Sequence, residues 1–234
     1  IFVMSIPESP YAHFNRIMIY DASGWRKSLE SLEKEKPDCW DIFVERQQLA
    51  GAHQMTRNIP LIWNEQESTL YDYFEHLIEP LENTLTDIYG VGHIRKLLIT
   101  NQPPSSIVFR HRDADFIFHN CHRCHIVLET GNTKVYGSTL FYLGRLEENQ
   151  PTWGHGSSEK MEKITERYIS ETVPMCIDEM WEINNVDDDL MLKHSVVNYN
   201  KTVRKIHIIF DWKPQNYLSS FHKKPLDRDR ETVQ

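Results

Sequence analysis

The chain has 234 residues, 40% hydrophobic and 26% charged, which places it in the ordinary globular class with enough apolar material for one sizeable core. Its 26 Lys and Arg against 34 Asp and Glu give a formal net charge of -8, which argues against a broad electrostatic grip on nucleic-acid phosphates or anionic membrane. Four cysteines, Cys39, Cys121, Cys124 and Cys176, are too few and too irregularly placed for a disulfide framework, so a reducing, cytoplasmic setting is the simpler expectation.

The opening, IFVMSIPESPYAHF, lacks a basic region followed by a long apolar run, and no later segment has the length of a membrane helix. A soluble protein is expected, with a trimmed leader still compatible with an Ile at position 1. The first predicted element is an amphipathic helix in DASGWRKSLESLEKEK, with Ser23 as N-cap and Pro37 as its end. HQMTRNIPLIW, from His53 to Trp63, reads as a strand. A second helix runs from Ser68 to Gly90, with Leu70, Phe74, Leu77, Ile78, Leu81, Leu85 and Ile88 at helical spacing and a kink at Pro80.

From residue 93 the texture changes to strand after strand: HIRKLLIT, SSIVFRHRD, HRCHIVLET, TKVYGSTLFYL, ISETVPMCIDEMWEINN, HSVVNYN and TVRKIHIIFDW. Such spacing predicts a sandwich or barrel-like core with the helices packed outside it. The polar segment 144–168 reads equally as a surface insertion or as a lid, and the charged tail HKKPLDRDRETVQ as peripheral. One domain over 1–234 follows, with a helix-rich part over about 1–92, a β core over about 93–212 and a tail over 213–234.

Cys121 to His125 spells C-x-x-C-H, a haem-attachment pattern, but it opens a strand-like run. Alternation on a strand sends Cys121 and Cys124 to opposite faces and puts Arg123, His125 and Val127 on one. No second C-x-x-C or H-x-x-x-H lies at zinc spacing. His119, His122 and His155 read as loop histidines, Val186 to Asp189 as a solvated acidic turn, and Trp181 and Trp212 as packing residues.

His111 and Asp113 end a strand two residues apart, so both occupy one face. With a distant His194 they would make the two-imidazole, one-carboxylate set that suits Fe(II) and leaves positions open for cosubstrate and oxygen. In a chain with twelve His such triples also arise by chance. Arg204, ten residues after His194, alternates with Ile206, Ile208 and Phe210, placing a guanidinium on an otherwise apolar face where a carboxylate is its best partner.

FRHRD, RCHIVLET, EMWEINN, HSVVN and VRKIHIIFDW together resemble the Fe(II)- and 2-oxoglutarate-dependent oxygenases of the aspartyl/asparaginyl β-hydroxylase-like family, which includes cis-type L-proline hydroxylases. The resemblance covers roughly residues 93 to 212. It implies a double-stranded β-helix, a jelly-roll or cupin-like core, with flanking helices. It implies that His111, Asp113 and His194 hold iron, that Arg204 grips the far carboxylate of 2-oxoglutarate, that Arg123 and His125 line the cosubstrate pocket, and that Thr100 supplies a hydroxyl to it. The implied reaction consumes O2 and 2-oxoglutarate and hydroxylates an amino acid, free or within a peptide or protein, releasing succinate and carbon dioxide.

The animal aspartyl hydroxylases have Gly where this chain has Asp113, which removes any expectation of their particular protein substrates. His53 and Arg57 fall on the early strand that borders the substrate pocket in related enzymes, or else on a solvated surface strand. Two other functions fit less of the pattern: a jelly-roll binding protein without turnover, and an oxygenase acting on a nucleobase or other small molecule, which the acidic charge disfavours.

Overall fold

The computed structural model describes residues 14–41, 56–111, 120–130, 139–143, 171–173, 175–183, 192–198 and 200–218. Eleven strands among them form two sheets. In chain order they are β1 (Phe14–Ile19), β2 (Arg57–Trp63), β3 (Gln66–Glu67), β4 (Gly92–Gln102), β5 (Ser106–His111), β6 (His122–Glu129), β7 (Thr139–Leu143), β8 (Glu171–Val173), β9 (Glu179–Ile183), β10 (Leu192–Asn198) and β11 (Lys205–Pro214). The larger sheet has the order β1-β9-β6-β11-β4-β2-β3 and the smaller one β5-β10-β7-β8. From β4 onward the chain keeps crossing between them, so that β4, β6, β9 and β11 lie in one sheet and β5, β7, β8 and β10 in the other. All of the strand pairings are antiparallel. This is the winding of a double-stranded β-helix, as expected.

Two helices cover the outer face of the larger sheet. Helix α1 (Ser23–Glu35) buries Trp25, Leu29 and Leu32, which recur at helical spacing. Helix α2 (Glu75–Tyr89) buries Ile78, Leu81 and Leu85. Both pack on one alternation of the central strands, namely Leu97 and Ile99 of β4, Cys124, Ile126 and Leu128 of β6, and Ile206, Ile208, Phe210 and Trp212 of β11. Full burial of each such side chain contributes about 1.5–3 kcal/mol. The other alternation faces between the sheets, where Val127, Trp181 and Ile183 of the larger sheet meet Val173 of the smaller one. Trp181 and Trp212 are both packing residues, as expected.

Several boundaries differ from expectation. Ser23 does not cap α1: Asp21 and Asp178 accept from the Ser23 and Ala22 amides instead, at 3.0 and 3.2 Å. Ser68 caps a short turn before α2, accepting from Leu70 N at 3.1 Å, and α2 itself begins only at Glu75. Pro80 sits in the sixth position of that helix, and Gly90 ends it at φ 84, a conformation that favours glycine. The run expected as one strand over residues 169–185 divides into β8 and β9 in different sheets, turning through Asp178 at φ 65. The first 92 residues also supply three strands, β1 at one edge of the larger sheet and β2 and β3 at the other.

Candidate functional site

His111 is the last residue of β5 and His194 the third of β10, and the two are direct partners across the antiparallel ladder. Phe141 of β7 is the partner of His194 on its other side. Directly opposed residues share a sheet face, with Cβ atoms about 4.5–5.5 Å apart. Two positions 83 residues apart in sequence are thereby neighbours, at a register shift between His194 and Val196. Asp113 lies outside the described residues, as do His53, His119, His155, the segment 144–168, the acidic turn Val186 to Asp189 and the tail from 219 onward.

Between the sheets, the inward alternation of the larger sheet carries a set of polar side chains in ordered rows. Asn58 of β2, Thr100 of β4, His207 of β11 and Val127 of β6 are successive partners across one row. In the next row inward-facing Leu98, Ile209, His125 and Trp181 are partners, and beyond them Lys96, Asp211, Arg123 and Ile183. Lys205 precedes His207 by two residues, on the same face, opposite Gln102. Lys205 and His207 are 2% and 6% exposed, although both carry ionisable groups. Burial holds the Lys205 ammonium well below its ordinary pKa. Burial, then the charges of Lys205 and His125, holds the imidazole of His207 well below the usual histidine range, so it is neutral at pH 7. The rings of His125 and His207 meet edge to face with centroids 5.9 Å apart.

Arg204 stands elsewhere. It shares the alternation of Ile206, Ile208 and Phe210 as expected, but that alternation packs against the helices rather than facing between the sheets. Its guanidinium donates to both carboxylate oxygens of Glu33 on α1, at 2.9 Å for Nη2 to Oε2, and from Nε to Glu129 Oε2 at 3.0 Å. It also lies over the ring of Trp40, 6.0 Å from the centroid. The expected carboxylate partner of Arg204 is thus supplied by the protein. The residue on the inward face is its neighbour Lys205, eleven positions after His194, which the sequence reading passed over together with His207 and Asn58. The alternation of TVRKIHIIFDW carried that signal, since Lys205, His207 and Asp211 make the polar face of a strand buried on both sides.

Arg123 and His125 do share the inward face. Arg123, however, is held in a buried bidentate pair with Asp211, Nε to Oδ1 at 2.7 Å and Nη2 to Oδ2 at 2.8 Å. It therefore carries its own counter-ion on the inward face. Thr100 is half-buried at the centre of its row. Arg57 is exposed and shares the alternation of helix-packed Ile59, so it faces away from Thr100; its neighbours Thr56 and Asn58 are buried.

The C-x-x-C-H residues divide between environments. His122 packs on the helix side, stacked on Tyr89 with centroids 4.0 Å apart and its Nδ1 2.6 Å from Glu182 Oε1. Cys124 lies beneath Tyr89, its Sγ 3.5 Å from the phenol oxygen. Both thiols are buried and unbridged; burial pushes Cys121 up to about 11 and Cys124 well above the ordinary thiol range.

The β5–β10 register brings His111 and His194 together, and the chemistry of the donors fits a divalent iron: two imidazole-bearing positions opposite one another and a carboxylate residue two places beyond the first. The inward face of the larger sheet carries the buried Lys205, the half-buried Thr100, and two buried polar atoms, His207 Nε2 and Asn58 Oδ1, that have no hydrogen-bond partner among the described residues.

No family model matches the chain, and no curated protein does. Solved structures match over most of its length. HygX from Streptomyces hygroscopicus, with nickel and 2-oxoglutarate bound, has TM-score 0.53 at 15% identity, covering 87% of this chain and 84% of that one. The same protein with nickel, 2-oxoglutarate and hygromycin B bound has TM-score 0.51 at 14% identity, with the same coverage. EvdMO1 has TM-score 0.51 at 13% identity, covering 88% of this chain and 48% of that one. At these identities the likeness is one of fold, and it agrees with the strand winding described above.

Proposed function

We propose that the chain is an Fe(II)- and 2-oxoglutarate-dependent dioxygenase that hydroxylates an unactivated C–H bond of an amino acid, free or as an Asp, Asn or Pro-type residue in a peptide or protein. The observation that carries the reading is the direct pairing of His111 with His194 on a double-stranded β-helix. In this reading His111, Asp113 and His194 hold the iron, and Lys205 with Thr100 holds the far carboxylate of 2-oxoglutarate. Bound iron supplies the means to couple oxidative decarboxylation of 2-oxoglutarate by O2 to C–H hydroxylation, with succinate and carbon dioxide as coproducts. The chain's own residues do the rest by position. Leu98 and Val127 are buried on the same face of the larger sheet as Thr100, and the buried Arg123–Asp211 pair on that face adds no net charge. The 2-oxoglutarate and nickel bound to HygX, a protein of the same fold, support the cosubstrate assignment.

The finer assignment, to the aspartyl/asparaginyl β-hydroxylase-like group, rests on the motifs alone. The engagement of Arg204 by Glu33 and Glu129 takes one motif residue out of the pocket and favours the broader class. The amino-acid substrate likewise rests on the motif resemblance, since HygX, with a similar fold, binds hygromycin B.

The deciding experiment is an anaerobic titration of metal-free protein with Fe(II) and then 2-oxoglutarate. The expected result is a visible metal-to-ligand charge-transfer band that needs both additions, followed by succinate once air is admitted. Folded protein that gives no band does not bind iron and 2-oxoglutarate in this way, and the reading as a jelly-roll binding protein without turnover then replaces it.

A further inference from the structure

The ladder that brings His111 opposite His194 is irregular. Starting beside the turn between β4 and β5, it pairs Asn198 with Ser106, Val197 with Ile107 and Val196 with Val108, and then His194 with His111, so two steps along β10 answer three along β5. The extra residue in β5 makes a bulge, a device that re-aims a strand position. A straight continuation from Val108 would oppose His194 to Arg110 and put position 111 on the other face, because strand positions alternate with period two. The metal pair therefore depends on what holds β5 and β10 in the bulged register.

Two buried carboxamides grip the ladder on the side of the bulge away from that pair. Gln102, the last residue of β4, is 3% exposed, and its Nε2 donates to the Ser106 carbonyl on β5 at 3.1 Å and to the Val196 carbonyl on β10 at 2.9 Å. One amide of the larger sheet thus ties two strands of the smaller one. Asn198, 2% exposed, returns the contact, with Nδ2 at 3.2 Å from the Gln102 carbonyl and 3.0 Å from those of Pro103 and Val203. The turn between them runs through Ser105 at φ 53, whose N–H donates to the Asn200 carbonyl at 2.8 Å. A carboxamide has two N–H donors, and Gln102 gives one to each strand, which a hydrocarbon side chain of the same length cannot do.

We propose that Gln102, backed by Asn198, is a positioning residue for the metal pair and acts through the register of the β5–β10 ladder. This rests on the oxygenase reading, in which positions 111 and 194 hold iron. Loss of the Gln102 bonds leaves the Ser106 and Val196 carbonyls each one partner short and brings the straight register close in energy to the bulged one. Metal binds the molecules in which the two positions share a face, so its apparent affinity falls by the fraction of molecules that keep the bulge.

The test uses Co(II), a divalent probe whose visible absorption reports binding without oxygen chemistry, on the full chain. Gln102→Met keeps the length and removes both donors. It is expected to raise the Co(II) dissociation constant by about tenfold, the case in which about one molecule in ten keeps the bulged register. Without metal, its amide hydrogens over 106–111 and 192–198 should exchange faster than in the unaltered chain, and saturating Co(II) should restore their protection. Ile208, fully buried on the helix side of β11, supplies the control. Ile208→Val and Ile208→Ala, bracketing the melting temperature of Gln102→Met, should leave the Co(II) constant within about twofold, as for distant independent sites. Unchanged Co(II) affinity in Gln102→Met, or a loss no larger than in an Ile208 variant of equal melting temperature, means that Gln102 serves the core alone; either overturns the proposal. Should Gln102→Met fail to fold, Gln102→Asn, whose shorter amide cannot span both carbonyls, decides by the same comparison. If the unaltered chain binds no Co(II), the oxygenase reading falls and this one with it, an outcome separate from a failure of Gln102 alone.

Discussion

His111 and His194 face each other across the β5–β10 ladder, 83 residues apart in sequence and adjacent in the sheet. The pairing couples them to one backbone register, so neither position can shift without the other.

His111→Ala and His194→Ala are each expected to weaken Fe(II) binding by at least about a hundredfold, because two remaining ligands hold a divalent ion poorly. Calorimetric Fe(II) titration with a circular-dichroism check of folding measures this. Unchanged affinity in either variant would remove that histidine from the metal set.

Lys205→Ala and Arg204→Ala should separate cleanly. Removing the Lys205 ammonium is expected to raise the dissociation constant for 2-oxoglutarate by about a hundredfold at unchanged iron affinity. Arg204→Ala should leave that constant within about threefold and instead cost about 1–2 kcal/mol of stability by freeing Glu33 and Glu129. The reverse pattern would return the carboxylate clamp to Arg204.

Asp211→Ala removes the bidentate carboxylate partner of Arg123 in a site where the two side chains are 1% and 4% exposed. A loss of about 3–5 kcal/mol in urea unfolding is expected, since breaking a buried pair leaves an uncompensated charge. The double variant with Arg123→Met should recover much of it. A loss below about 1 kcal/mol would mean that water reaches the pair.

The burial of neutral His207 sets a pH dependence of known sign. Its folded pKa is depressed below the ordinary 6.5, so the unfolded chain takes up a proton first as pH falls. Its contribution to stability is complete above pH 6.5 and is lost below it, at up to about 1.4 kcal/mol per pH unit, until the folded pKa is reached. Between pH 6.5 and 5, His207→Phe should therefore show a shallower decline than the unaltered chain. Parallel declines in the two proteins would mean that His207 is not buried neutral.

Much of this architecture was legible in the alternation of apolar residues. The first helix and the strands in HIRKLLIT, SSIVFRHRD, HRCHIVLET, HSVVNYN and TVRKIHIIFDW stand where their periodicity puts them, while the second helix starts seven residues later than its apolar spacing suggested. What alternation cannot give is which side of a strand faces which layer when both are buried. On β11, Ile206, Ile208 and Phe210 suggest an interior face, yet that face meets α1 and α2, and the polar face with Lys205 and His207 lies between the sheets. Arg204 accordingly lies on the helix side, paired with Glu33 and Glu129. Strand β1, FNRIMI, at the edge of the larger sheet among the described residues, escaped notice because its pattern is mixed: Phe14 is buried, Ile17 and Met18 are half-buried, and Ile19 is exposed like Arg16. The joint between β8 and β9 was hidden because the strands follow each other closely and part only at Asp178.

The position of β11 also governs how the protein can be made. Among the described residues it is the last strand of the larger sheet in chain order, yet it lies between β4 and β6 and pairs with both along most of its length. During synthesis β4 and β6 leave the ribosome with the edges that β11 will occupy still open, and the sheet cannot close until β11 emerges. Such long-range closure makes folding slow and leaves exposed strand edges in the meantime, so the nascent chain should depend on chaperones until β11 is released.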